Sequence, residues 1–122
     1  MLYALLVYNT DESGYDRLTD AEETDLAAQH AAYSAMLRRR NAFDATLELA
    51  GADAATSVRN RPTGKVITDG PYAESKEVLG GYYIVDADSL DAAMDYAQAL
   101  PTRPGDTVEV RCQAASGDTR KA

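Results

Sequence analysis

His30 is the only histidine of the chain, and so the only side chain whose ordinary pKa lies near neutrality. Leu26, Tyr33 and Leu37 flank it at helical spacing, which sets it on the apolar stripe of a helix rather than on a solvated face. An imidazole held there needs a hydrogen-bond partner for at least one ring nitrogen. Asp69, in the turn Asp69-Gly70-Pro71, is a candidate. A carboxylate accepting from one nitrogen fixes the tautomer and leaves the other to take or give a proton. Both residues also have a plain structural reading. A helix histidine is commonly a hydrogen-bonded core or rim residue, and an aspartate before Gly-Pro commonly caps its own turn.

The second candidate cluster is a strand over residues 78–87, notched by Gly80-Gly81 ahead of Tyr82-Tyr83-Ile84-Val85. Glycine inside a strand marks a bulge, or the close approach of another backbone or a ligand. Gly80, Gly81, Tyr82 and Tyr83 are therefore candidate substrate-binding residues. Close packing explains the glycines equally well, and core or interface packing explains the tyrosines, which point to opposite faces. Glu74, Lys76 and Glu77 read as a solvated turn, and Arg59 and Arg61 are available to an anionic group without either being singled out. One histidine and scattered carboxylates do not make a zinc or iron cluster, so no metal is expected. No phosphate loop, nucleophile elbow or dinucleotide fingerprint occurs, and no cofactor is expected.

The elements that must position these residues are legible in outline. Met1 to Tyr8 is a strand apolar on both faces. Asn9 to Gly14 reads as loop. Thr19-Asp20-Ala21-Glu22 has the spacing of a capping box, opening a helix that runs to about Arg39. Residues 44–50 and 55–59 read as short strands, Pro62-Thr63-Gly64 as a turn and 65–68 as a brief strand. Ser89 caps a second helix, which Pro101 stops, and residues 107–113 form the last strand. The order β-α-β-hairpin-β-α-β is that of a split βαβ arrangement, an antiparallel sheet with both helices on one face. The opposite face is left apolar, and a second copy of the chain is the simplest cover for it.

A length of 122 residues implies one domain, taken as residues 1–113 with a disordered tail at 114–122. The net charge of −8 disfavours direct nucleic-acid binding. The one basic run, Arg38-Arg39-Arg40, fits a helix C-terminus. Cys112 is alone, which excludes an internal disulfide, and its place on one face with Val108 and Val110 suggests a buried, inert thiol. No segment is apolar for long enough to span a bilayer and no charged leader precedes the first strand, so a cytoplasmic protein without membrane contact is expected.

Asp69-Gly70-Pro71-Tyr72-Ala73-Glu74, then Lys76-Glu77, then Leu79-Gly80-Gly81-Tyr82-Tyr83, resembles the signature of the YCII-related family in its DGPF-domain branch. Tyr72 departs from the phenylalanine usual there. The resemblance runs over roughly residues 1 to 112. It implies a ferredoxin-like α+β subunit whose sheet faces pair in a homodimer, a dimeric α+β barrel. It also implies that His30 and Asp69 form an acid–base pair acting on a small organic substrate without a cofactor. A non-catalytic dimer that binds a small molecule, or a regulatory partner of sigma-factor-linked transcription, is the alternative implied by other members of the branch.

Overall fold

The computed structural model describes residues 1–115. In chain order these form β1 (Leu2–Asn9), α1 (Asp20–Arg39), β2 (Phe43–Glu48), β3 (Thr56–Arg61), β4 (Gly64–Asp69), β5 (Val78–Asp86), α2 (Leu90–Ala99) and β6 (Thr107–Cys112). Strands β2, β5, β1 and β6 lie side by side in that order in one sheet, antiparallel at each junction. β1 and β2 are thus parallel, with β5 inserted between them. This is the split βαβ topology of a ferredoxin-like α+β fold, as the element order predicts.

Both helices start where the sequence places them. Thr19 Oγ1 accepts from the Glu22 amide at 3.1 Å while Glu22 Oε1 accepts from the Thr19 amide at 3.1 Å. Ser89 Oγ accepts from the Ala92 amide at 3.1 Å. The three arginines close α1, which suits the negative end of its dipole. Asn41, at φ 56°, then turns the chain toward β2.

Alternation along β1 sends Tyr3, Leu5 and Val7 to one face, opposite Val85, Tyr83 and Gly81 of β5 and Cys112, Val110 and Val108 of β6. The helices cover this face. Tyr33 and Leu37 of α1 and Ala93 and Ala97 of α2 close a core in which Leu5, Leu37 and Val85 are wholly buried. The other face carries Ala4, Leu6, Tyr82, Ile84 and Leu47, none of them fully buried, and no helix lies over it. Leu47 remains 50% exposed.

Three details differ from expectation. Cys112 is exposed rather than buried. Val108 and Val110 pack on the core, but Cys112 is the last residue of the sheet's outer strand. Residues 9–14, expected as loop, run into two short 3-10 turns at Asp11–Ser13 and Tyr15–Arg17, the first of which ends on the wholly buried Ser13. The strands β3 and β4 are longer than expected and form a hairpin of their own, paired only with each other. The expectation of a disordered tail falls largely on residues outside the described ones.

Candidate functional site

A cleft of about 870 Å³ opens between the N-terminal half of α1 and the adjoining ends of β2 and β5. Its wall on α1 is Glu23, Leu26, Ala27, His30, Ala31 and Ser34; its floor includes Thr46 to Gly51 and Val78 to Tyr83. The cause lies in the helix sequence. Tyr33 and Leu37 anchor the C-terminal half of α1 in the core, whereas the residues that flank His30 on the cleft wall, Ala27 and Ala31, are small.

His30 is half-buried on this wall, and its Nδ1 lies 2.8 Å from the Tyr83 hydroxyl. The two rings are nearly coplanar in orientation, 6° apart. Tyr83 is itself fixed by an edge-to-face contact with Tyr33 at 5.0 Å, and the Tyr33 hydroxyl donates to the Tyr96 carbonyl at 2.6 Å. Burial holds the His30 pKa below the usual 6.5, with Glu48 pulling the other way. The ring is therefore predominantly neutral at pH 7. Among the described residues its Nε2 makes no hydrogen bond to protein.

The second anchored corner of the cleft is a carboxylate node. Asp106 accepts from Tyr15 Oη at 2.6 Å, from Asn9 Nδ2 at 3.0 Å and from the Arg103 amide at 2.8 Å. Partial burial pushes its pKa up, but these donors together with Ser13 outweigh that and hold the carboxyl below its ordinary range. Burial and the Asp106 hydrogen bond push the Tyr15 phenol well above its usual range. Tyr15 and Asn9 both line the cleft.

The glycines are explained by contact. A β-carbon on Gly80 would fall on the Asn9 side chain, and one on Gly81 would come within 2.8 Å of the Leu47 carbonyl oxygen. Gly80 is also the bulged residue, since β1 pairs Val7 with Gly81 and Tyr8 with Leu79. Tyr82, on the helix-free side of the strand, reaches the cleft edge, while Tyr83 faces the helices.

Of the residues expected at a site, the fold brings His30, Gly80, Gly81, Tyr82 and Tyr83 to one cleft. Asp69 is elsewhere. It is exposed at the end of β4, opposite Thr56 in the hairpin, and the imidazole's partner within the chain is Tyr83. Arg59 lies on the same hairpin, donating to the Tyr72 carbonyl. Glu48, Asn9, Tyr15 and Asp106 were not singled out by sequence. Pro104-Gly105-Asp106 carries a turn signal, but nothing local marks Tyr15, 91 residues away, as its partner.

Fold and cleft together define a ferredoxin-like α+β domain with a histidine-bearing pocket beneath its first helix. The profile of the YCII-related domain family matches residues 1–112. The chain is also similar to an uncharacterised protein of Rhizobium meliloti (strain 1021), 34% identical over 100 residues that cover 82% of this chain and 80% of the relative. This chain belongs to the YCII-related family. No helix among the described residues is long and apolar enough to cross a membrane.

Proposed function

We propose that the cleft binds a small organic molecule and that His30 moves a proton to or from it. The observation that carries this reading is the pairing of His30 Nδ1 with the Tyr83 hydroxyl at 2.8 Å on the wall of an 870 Å³ cleft. With Tyr83 donating, Nε2 carries the proton and presents N–H to the cleft. With Tyr83 accepting, Nε2 carries the lone pair and is a base. Passing between the two states takes a proton gained at one ring nitrogen and one lost from the other, with the Tyr83 hydroxyl turning to match, so the pair serves proton transfer in either direction, a role that contributes about 10²–10⁴-fold in rate. Proton abstraction, elimination or isomerisation are the reactions that such a pair suits, and none requires a cofactor.

The test is deuterium exchange from solvent into small carbonyl compounds that enter the cleft, which reads proton abstraction without knowledge of the overall reaction. Exchange by the wild type and its loss in His30→Ala supports the assignment. Binders that never exchange leave the non-catalytic alternative, a small-molecule-binding regulatory dimer.

The dimer is part of the proposal. Ala4, Leu6, Tyr82, Ile84 and Leu47 form a helix-free apolar face, and Glu109 and Arg111 sit on it side by side, opposite Leu6 and Ala4. Adjacent opposite charges make the face self-complementary under a two-fold axis. The hairpin of β3 and β4 gives a second reason. A two-stranded hairpin is marginal on its own, and Val58 and Ile67, which face each other across it, are 62% and 70% exposed. In this reading the arm packs on a second copy, and Asp69 joins an acid–base pair with His30 only by that route. A His30 titration unchanged between the dimeric wild type and Asp69→Asn excludes Asp69 from the site.

A further inference from the structure

The cleft is charged on one side of the ledger only. With His30 neutral, Glu23 and Glu48 are the charged residues that line it, and no lysine or arginine is among them. The guanidinium of Arg103 sits 6.0 Å from the Tyr15 ring but is committed elsewhere. Its Nε donates to the Ser13 carbonyl at 2.6 Å and its Nη1 lies 3.9 Å from Glu22. Burial is the larger influence on His30 and Tyr15; the Glu48 charge reaches both rings and favours the protonated form of each, while at Tyr15 the Arg103 charge opposes it. Between the carboxylates the lining is aliphatic, with Val7, Leu18, Leu26 and Val78, and aromatic at Tyr15 and Tyr83.

We infer that the ligand of this cleft is a cationic amphiphile, an apolar body carrying a protonated amine. The inference rests on the reading of the cleft as a ligand site and names the chemistry of its occupant. The apolar body lies against the leucines, and the ammonium is drawn to Glu48 and Glu23, with tyrosine faces available to it as well. A unit charge about 4 Å from a carboxylate in water changes affinity about fivefold, favourably for a cation and unfavourably for an anion. Two lining carboxylates and no lining lysine or arginine therefore separate cation from anion by at least about tenfold, even after screening of exposed groups. A carboxylate or phosphate ligand meets no counter-charge here.

Three probes of similar size test the inference: 2-phenylethylamine, 2-phenylethanol and 3-phenylpropionate, titrated at low ionic strength into the whole protein at pH 7. Binding is read by calorimetry and located by the ring resonances of His30. The expected result is that the amine binds at least about tenfold more tightly than the carboxylate. In the doubly substituted Glu23→Gln, Glu48→Gln protein the preference disappears while the alcohol binds as before. Both glutamates are exposed, and a thermal melt verifies that the variant is folded. Equal or tighter binding of the carboxylate overturns the inference, as does an amine preference that survives the double substitution. If all three probes shift His30 equally, the cleft remains a ligand site and only the charge selection falls. If none does at millimolar concentration, both readings fall.

Discussion

Replacing Gly80 by alanine adds one methyl group at a place where the consequences can be traced atom by atom. The new β-carbon would occupy the position of the Asn9 carboxamide, so Asn9 must swing away. In doing so it gives up the 3.0 Å bond from Nδ2 to the Asp106 carboxylate. A hydrogen bond to a charged acceptor is worth about 1.5–3 kcal/mol. The φ angle of Gly80 lies outside the left-handed region, so alanine adopts this backbone without strain and recovers about 0.4–1 kcal/mol from the unfolded chain. The net expectation is a loss of roughly 1–2 kcal/mol. In an Asn9→Ala background the obstacle is absent, and the same substitution becomes neutral or slightly stabilising. The coupling between the two sites is thus about 2 kcal/mol, well above the few tenths seen for independent positions.

Urea unfolding of the four proteins of this cycle, at one fixed protein concentration, measures it. With a slope of about 1–3 kcal/mol/M, the single substitution moves the midpoint by roughly 0.5–1 M. A Gly80→Ala cost that is the same with and without the Asn9 side chain refutes the reasoning. The glycine would then be serving the open space of the cleft rather than the Asn9–Asp106 link.

Three further outcomes are expected. Tyr83→Phe keeps the buried ring and removes the hydroxyl bonded to His30, which should cost about 1 kcal/mol and move the Nδ1 nitrogen resonance of His30; an unmoved resonance means the bond is not made. Because burial depresses the His30 pKa in the folded state, the unfolded chain binds its proton more readily, and stability should fall as pH drops below about 6.5 toward the folded value. His30→Gln should flatten that part of the stability profile, and an identical profile in the variant would remove His30 as its source. Ile84→Glu places a charge at the centre of the helix-free face, and on the dimer proposal sedimentation should report a dimer for the wild type and a folded monomer for the variant; an unchanged mass removes that face from the interface.

Much of the frame is written locally. The Thr19 box, the Ser89 cap, Pro101 and the alternation of β1 each act within a few residues, so the element order and the split topology follow from short-range chemistry. His30 and the glycine-notched strand were legible for the same reason, one from the helical stripe and the other from the break in strand propensity. The partner of His30 was not. Tyr83 lies 53 residues away, and a tyrosine in a strand carries no mark of which hydroxyl contact it makes. Asp69 was joined to His30 by the family resemblance more than by any local pattern, and its hairpin pairs only with itself and holds the residue away from the cleft of its own chain. The Asp106 node joins three segments of the chain, and its strength appears only when they are folded together.

The cleft is unequally supported, and this bears on how it would accept a ligand. Its floor is rigid by construction. The bulge at Gly80 is locked by Asn9, Asn9 and Tyr15 are both held by the Asp106 carboxylate, and the Leu49 amide bonds the Gly80 carbonyl at 2.9 Å. The helical wall is different. From Asp20 to Ala32 only Leu26 and His30 are even partly buried, and the contact tying that turn to the floor's anchor is a 3.9 Å approach of Arg103 to Glu22. Few buried apolar contacts and a surface ion pair give low local stability. Adjustment to a bound molecule should therefore come from the first three turns of α1 rather than from the sheet. Because His30 rides on those turns while Tyr83 is fixed in the core, such a movement stretches or shortens their hydrogen bond. Filling the cleft is therefore expected to change the strength of the His30–Tyr83 hydrogen bond, and with it which ring nitrogen carries the proton.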